Sequence, residues 1–276
     1  MGIVIEMEKR EYHSRSNGVF FEITRTLFKK KSRFQDIEVV ENPYFGRILF
    51  LDGLVQTTEK DEFYYHEMLI HPAAVTHPDP QRILIIGGGD GGSLKQALRY
   101  PVKSVRMVEI DPDVIDAAKK YFPWLLPGLE DKRTEIITAE GREYLENTPD
   151  KYDIVYVDSS EPMGPSLTLH ERNFFEIVKD RLSPSGIVCA QMGAPFFQMD
   201  ALKRAKAGIE GVFKIARFYL APVPTYPGGN WCYVFLSDHA DPFVLRREPP
   251  EGLKYYNQDI HKAAFVLPNY LRQILE

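Results

Sequence analysis

The sequence predicts an α/β fold: a doubly wound parallel sheet with an antiparallel hairpin at one edge, preceded by a small antiparallel β-domain. Three observations lead to it. From Gly18 to Thr58, short runs rich in Val, Ile, Thr and Phe are punctuated by Asn42-Pro43 and Asp52-Gly53, the second a strong hairpin signal. Beyond His77-Pro78-Asp79-Pro80 the texture changes to alternating strand and helix, with strands written as the continuous apolar runs that parallel sheets bury on both faces. Near the end, two strand-like runs are separated only by Pro222–Asn230, too short for a parallel crossover, so they must pair antiparallel.

In order, the first domain (residues 1–77) reads as strands over Phe20–Leu27, Asp36–Glu41, Arg47–Leu51 and Leu54–Thr58. A helix follows over roughly Glu59 to Val75, where Phe63, His66, Met68 and Ile70 mix with acids. The stiff proline link ends this domain. The second domain (residues 78–276) opens with strand Arg82–Ile86, helix Ser93–Tyr100, strand Ser104–Ile110 and helix Val114–Phe122. Strands Glu135–Thr138, Ile154–Asp158 and Gly186–Met192 come next, with helical material between them, and Phe213–Val223 and Trp231–Ser237 form the edge pair.

A chain of 276 residues suits one large domain or one large and one small. The apolar fraction of 44% and charged fraction of 26% exclude disordered and collagen-like classes. A net charge of −5 counts against a nucleic-acid binder, which usually carries a basic stripe. Mild acidity fits a cationic ligand, although solvated carboxylates give the same total. Cys189 and Cys232 sit in apolar, strand-like runs and read as two buried thiols rather than a disulfide. The first 25 residues mix charge throughout and do not resemble a signal peptide. No apolar run is long enough to span a bilayer, so the expected setting is the cytoplasm, with no membrane partner. His66 and His71 are five apart and do not share a helical face; no metal is expected.

Ile83–Gly92 contains Gly-x-Gly-x-x-Gly at Gly87, Gly89 and Gly92, after a strand and opening a helix, the context in which this motif approaches a nucleotide. The acid expected at the end of the next strand to bond ribose hydroxyls is Glu109. Asp90, inside the loop, narrows the ligand. Its carboxylate would repel the pyrophosphate of a dinucleotide or the carboxylate of S-adenosylmethionine, and would attract a bare ammonium. As a bland alternative, Asp90 caps the helix or faces water. A second acid cluster, Asp158-Ser159-Ser160-Glu161, ends the fourth strand and runs into Pro162-Met-Gly-Pro165, a lid-like loop. In open α/β sheets ligands bind beyond the strand C-termini near the switch between strands one and four, so Asp90 and Asp158 should face one crevice. Several carboxylates in one crevice imply a polycationic guest.

These residues resemble the spermidine synthase family. Besides the Gly87–Gly92 loop, the chain carries Phe34-Gln35-Asp36, Leu51-Asp-Gly-Leu-Val-Gln-Thr-Thr-Glu-Lys-Asp-Glu-Phe63, Tyr65-His66-Glu67-Met68, Asp158-Ser-Ser-Glu-Pro-Met-Gly-Pro165, Pro224-Thr-Tyr-Pro-Gly-Gly229, Tyr255-Tyr-Asn and His261-Lys-Ala-Ala-Phe-Val-Leu-Pro268. The resemblance implies a small N-terminal β-domain on a methyltransferase-like, Rossmann-type α/β domain, assembled as a homodimer or homotetramer. It implies transfer of an aminopropyl group from decarboxylated S-adenosylmethionine, a co-substrate rather than a bound cofactor, to putrescine. The products would be spermidine and 5′-methylthioadenosine.

It also implies the roles of individual residues. Asp158 would be the general base. Tyr65, His66, Asp90, Ser159, Ser160, Glu161 and Tyr226 would join Asp158 in holding the diamine and the aminopropyl end. Gln35, Gly87, Gly89, Glu109, Glu140, Gly141 and Pro165 would line the nucleoside pocket. The chemistry is coherent, because an alkylamine with a pKa near 10 is inert at neutral pH until a base takes its proton, while the sulfonium leaves unaided. The chain departs from the family where Asp is usual at Glu140 and Glu161, and in the Ser166-Leu-Thr-Leu-His170 lid. It also lacks an N-terminal tryptophan, its only two being Trp124 and Trp231. These departures leave agmatine or a longer amine open as acceptor. A nicotinamide-dependent oxidoreductase and a non-catalytic polyamine sensor are the more remote readings.

Overall fold

The computed structural model describes residues 7–159, 169 and 171–276. Its N-terminal part comprises β1 (Glu8–Tyr12), β2 (Gly18–Glu22), β3 (Arg25–Lys31), β4 (Asp36–Asn42), β5 (Gly46–Leu51) and β6 (Leu54–Thr58). β1 and β2 form an antiparallel ribbon, and β3-β4-β5-β6 form an antiparallel sheet in that order. The Asp52-Gly53 turn joins β5 to β6 with both residues at positive φ (49° and 83°), the backbone that an Asp-Gly hairpin turn requires. The single strand expected over Phe20–Leu27 is instead two. At Ile23-Thr24 the chain changes partner, from the carbonyl of Met7 to the carbonyl of Glu41. β1, whose sequence EKREY is mostly charged, gives no apolar signal and was not foreseen.

A helix α1 (Glu62–Thr76) and a strand β7 (Arg82–Gly87) lead into the larger part. There α2 (Gly92–Ala97), β8 (Ser104–Glu109), α3 (Pro112–Tyr121), α4 (Leu126–Leu129), β9 (Thr134–Thr138), α5 (Gly141–Asn147) and β10 (Tyr152–Asp158) alternate. They are followed by α6 (Arg172–Asp180), β11 (Leu182–Gly193), α7 (Met199–Ile209), β12 (Ile215–Pro222), β13 (Asn230–Ser237), α8 (Gln258–Ala264) and α9 (Asn269–Leu275). The sheet runs β12-β13-β11-β10-β7-β8-β9. Strands β11, β10, β7, β8 and β9 are parallel, and β13 and β12 close one edge antiparallel, the doubly wound sheet with an edge hairpin that the sequence predicts. The short C-terminal helices α8 and α9 were not foreseen.

Each central strand feeds two cores, because successive side chains point to opposite faces. Ile83 and Ile85 of β7 pack with α1 and α2, while Leu84 and Ile86 pack with α5 and α6 on the other side. Cys189 and Cys232 are free and buried; they belong to opposite faces of neighbouring strands, so they cannot meet. Ile37, Val39 and Leu49 of the small sheet pack on Val114 and Ala117 of α3, which docks the two parts together.

Helix α1 lies before the expected division at residue 77, yet it packs on α2 and on β10 to β13. It survives Pro72 because the carbonyl that the missing N–H would bond, that of Met68, accepts instead from the Tyr219 hydroxyl at 3.0 Å. No helix among the described residues is long and apolar enough to cross a membrane.

Candidate active site

Pairing of β7 with β10 sets Gly87 opposite Asp158, so the glycine loop and the second acid cluster leave the sheet side by side. The Gly88 N–H donates to the Asp158 carbonyl at 2.9 Å. Gly87 has φ +82°, and a Cβ there would lie 2.1 Å from that carbonyl oxygen. Only glycine satisfies both conditions. Asp90 turns the loop by accepting from the Gly92 N–H at 2.8 Å through Oδ1, and its Oδ2 lies 3.4 Å from His66 Nε2. Asp90 therefore makes a local turn bond just before the N-cap, Gly91, which has no side-chain cap, together with an ionic contact to His66.

The Asp158 carboxylate is held by two elements besides its own. Tyr65 of α1 donates to Oδ1 at 2.7 Å and Ser93 of α2 donates to Oδ2 at 2.6 Å. Burial pushes its pKa above the usual carboxylate range; His66 opposes the rise, Asp90 adds to it, and the two hydroxyl donors oppose it. A buried carboxylate with raised proton affinity and two fixed donors can receive a proton from a nearby ammonium.

His66 sits at the centre of a chain of alternating charge. Its Nδ1 is 2.7 Å from Glu62 Oε2, one helical turn back, and Glu62 Oε1 accepts from Lys95 Nζ at 2.9 Å. Burial disfavours a charged imidazole, but Asp90 and Glu62 on either side outweigh it and raise the His66 pKa well above its ordinary value. Burial likewise opposes charge on Glu62, yet His66 and Lys95 hold its carboxyl down at about 2. The ring is thus a fixed cation bridging two acids, and Asp90 is the acid that faces the cavity.

On the other side of the loop, Glu109 ends β8 and accepts from the Gly89 N–H (3.2 Å) and the Asp111 N–H (2.9 Å). Burial lifts its carboxyl to about 7; the two N–H donors oppose the rise, and the nearby charge of Asp111 supports it. Gln35, from the turn between β3 and β4, donates from Nε2 to Asp111 at 3.0 Å. Glu140 caps α5, its two oxygens accepting from the N–H groups of Arg142 (3.0 Å) and Glu143 (2.8 Å). A Cβ on Gly141 would lie 2.4 Å from Ile86 Cγ2, so a side chain there would press on the sheet beneath the cavity.

Every candidate residue that the structure describes lines one cavity of about 260 Å³: Gln35, Tyr65, His66, Gly87, Gly89, Asp90, Glu109, Glu140, Gly141, Asp158, Ser159 and Tyr226. Ser160, Glu161 and Pro165 lie outside the described residues, as does most of the Ser166–His170 lid. Sequence reading missed four contributors. Ser93 directly follows the glycine loop and bonds Asp158. Gln56, inside the Leu51–Phe63 motif, lines the cavity and accepts the Tyr226 hydroxyl proton at its carbonyl. Glu62 lies in the same motif, and its i, i+4 spacing to His66 was the available signal. Trp231 also lines the cavity, its ring 4.6 Å from that of Tyr226, which in turn is 5.7 Å from Tyr65. The tryptophan of this aromatic wall therefore comes from β13 rather than from the N-terminus, with Tyr65 from α1 and Tyr226 from the connection between β12 and β13.

Comparison with known proteins gives a consistent result. Residues 62–246 match the spermine/spermidine synthase domain, and residues 9–59 match the spermidine synthase tetramerisation domain. The polyamine aminopropyltransferase of Shouchella clausii is 40% identical, over 94% of this chain and 95% of the relative. That of Bacillus subtilis is 37% identical, over 98% and 99%. Among solved structures, a spermidine synthase in complex with the transition state analogue AdoDATO is 38% identical, with a TM-score of 0.94 over 98% of this chain and 95% of that one. The spermidine synthase from Thermotoga maritima is 38% identical, with a TM-score of 0.92 over 98% and 94%.

Proposed function

The chain belongs to the spermine/spermidine synthase family, and we propose that, as a polyamine aminopropyltransferase, it moves the aminopropyl group of decarboxylated S-adenosylmethionine to putrescine. The observation that carries this reading is that one cavity contains two separately anchored carboxylates, Asp90 and Asp158, with Glu109 on its nucleoside side. Asp90 would pair with the ammonium at the end of the aminopropyl group. Glu109 would accept from the ribose hydroxyls. The aromatic faces of Tyr65, Tyr226 and Trp231 suit the methylene chain of a diamine.

In the proposed reaction the attacking ammonium first gives a proton to Asp158. The freed amine then forms a C–N bond to the methylene carbon beside the sulfonium. The C–S bond breaks with its electron pair on sulfur, which leaves as a neutral thioether, 5′-methylthioadenosine. The new secondary amine carries the charge of the alkyl group it received, and the proton on Asp158 passes to solvent. Orientation does much of the work, because both reactants are cations that must be brought together in line. The match of residues 9–59 to a tetramerisation domain supports assembly as a homo-oligomer.

Two measurements test the proposal. Thermal shift should show stabilisation by 5′-methylthioadenosine and none by NAD; stabilisation by NAD alone would sink it in favour of an oxidoreductase. Asp158→Asn should lower turnover by at least ~100-fold, the size of a general-base contribution. Parent-like turnover in that variant would remove Asp158 from the chemistry, and absence of turnover in both would favour a polyamine sensor.

A further inference from the structure

Asp111 follows β8 by two residues and is only 1% exposed. Its carboxylate joins the two parts of the molecule. Oδ2 accepts from Ser32 Oγ at 2.6 Å and from Gln35 Nε2 at 3.0 Å, both on the turn between β3 and β4. Oδ1 accepts from the Asp113 N–H at 3.1 Å where α3 begins. The backbone N–H of Asp111 donates to Glu109 Oε1 at 2.9 Å, and Glu109 Oε2 accepts from the Gly89 N–H. One buried residue thus holds an amide from the small domain and an acid from the large one, both lining the same cavity.

A buried carboxylate is tolerated only when its oxygens are satisfied, and these three donors satisfy it. A carboxylate can only accept, so Gln35 must turn Nε2 toward Asp111, which leaves its Oε1 as the amide atom available to a ligand donor. Ser32 fixes the same turn, since its Oγ also accepts from the N–H groups of Phe34 and Gln35 at 3.0 Å each. Docking of the two parts does not depend on Asp111 alone. Lys30 pairs with Asp113 at 2.7 Å, Arg47 donates to the Tyr121 carbonyl at 2.6 Å, and the apolar contact of the small sheet with α3 lies alongside.

We propose that Asp111 is a positioning residue for the nucleoside end of the donor: it orients the Gln35 amide and the Glu109 carboxyl across the domain junction. This rests on the proposed function, because it gives that pocket its ligand. In Asp111→Asn one side-chain oxygen remains for three donors, so the new NH2 meets either the Gln35 amide or the Asp113 N–H donor to donor, and the turn carrying Gln35 and the start of α3 can no longer both be held. The expected result is a rise of about tenfold or more in both the donor KM and the dissociation constant for 5′-methylthioadenosine, with kcat within about threefold, as for loss of uniform binding. Gln35→Ala should then cost clearly less affinity in the Asp111→Asn background than in the parent, because residues sharing one network are non-additive. Unchanged donor KM and unchanged affinity in a folded Asp111→Asn protein, or strict additivity with Gln35→Ala, would overturn the proposal. If Asp111→Asn does not fold, Ser32→Ala takes its place, with an expected weakening of 5′-methylthioadenosine binding by about threefold at constant kcat; affinity equal to the parent would overturn the proposal equally. Failure of the unmodified protein to bind 5′-methylthioadenosine would refute the functional reading instead.

Discussion

Glu109 shows how one residue's surroundings become a pH dependence. Its burial lifts the carboxyl to about 7, so the unliganded protein favours the protonated form at mildly acidic pH. The stability linked to that proton is full below the ordinary carboxylate range and is lost as pH rises through about 7. A donor whose ribose hydroxyls must donate to Glu109 favours the ionised form, and binding near neutral pH should therefore expel a proton. The affinity for 5′-methylthioadenosine should fall by about tenfold between pH 8 and pH 6. Calorimetry in buffers of different ionisation enthalpy should record the released proton, and Glu109→Gln should abolish both effects. A flat affinity profile in the parent would contradict the assignment of Glu109 to the ribose. His66 follows the same sign, because its pKa is raised too, although there the favoured form is the charged one. Held between Asp90 and Glu62, it keeps its charge through neutral pH, so it adds stability below its ordinary value that is lost only on raising pH through its elevated one.

Helix α1 concentrates the site at the level of an element. Tyr65 and His66 line the cavity and Glu62, one turn back, bonds His66, while Glu67 accepts from the backbone N–H groups of Lys254, Tyr255 and Tyr256 at 3.0, 2.9 and 2.9 Å. One helix thus carries both a reactive-side face and a clamp on the C-terminal segment. Glu67→Ala should take the acceptor from three N–H groups, one on exposed Lys254, one on half-buried Tyr255 and one on buried Tyr256, a loss of roughly 2 kcal/mol at about one per bond that water does not replace. Hydrogen exchange should show residues 254–256 losing protection while the sheet keeps its own; unchanged protection there would contradict the clamp. The helix also shows where the sequence ceased to be legible. Gly87, Asp90 and Glu109 could be read because loop, helix start and strand end are neighbours in the chain. The expected helix runs through Pro72, but nothing nearby in the chain shows why a proline is tolerated there; the donor for the Met68 carbonyl comes from Tyr219, 147 positions beyond the proline. Trp231 and Gln56 carry no local mark of their role, since only tertiary folding brings β13 and β6 to the cavity.

The whole molecule explains why these parts meet. Strand order sets β7 beside β10, so a glycine loop and an acidic strand end separated by about seventy residues of sequence leave the sheet together. The small sheet covers the far side, contributing Gln35 and Gln56 and docking through Asp111 and α3. Alternation of strand and helix made the larger domain readable. The split of β2 from β3 was not, because partner exchange at Ile23 leaves the apolar pattern continuous. Net acidity pointed weakly to a cationic ligand, and the arrangement of Asp90, Asp158 and Glu109 gives that weak signal a location. The most direct test of the account is to incubate the protein with decarboxylated S-adenosylmethionine and an equimolar panel of putrescine, agmatine, cadaverine and spermidine, then identify the products by mass. The account predicts 5′-methylthioadenosine and spermidine as the dominant pair; no aminopropylated amine from any acceptor, or equal yields from putrescine and agmatine, would contradict it, the first for the transfer itself and the second for the acceptor.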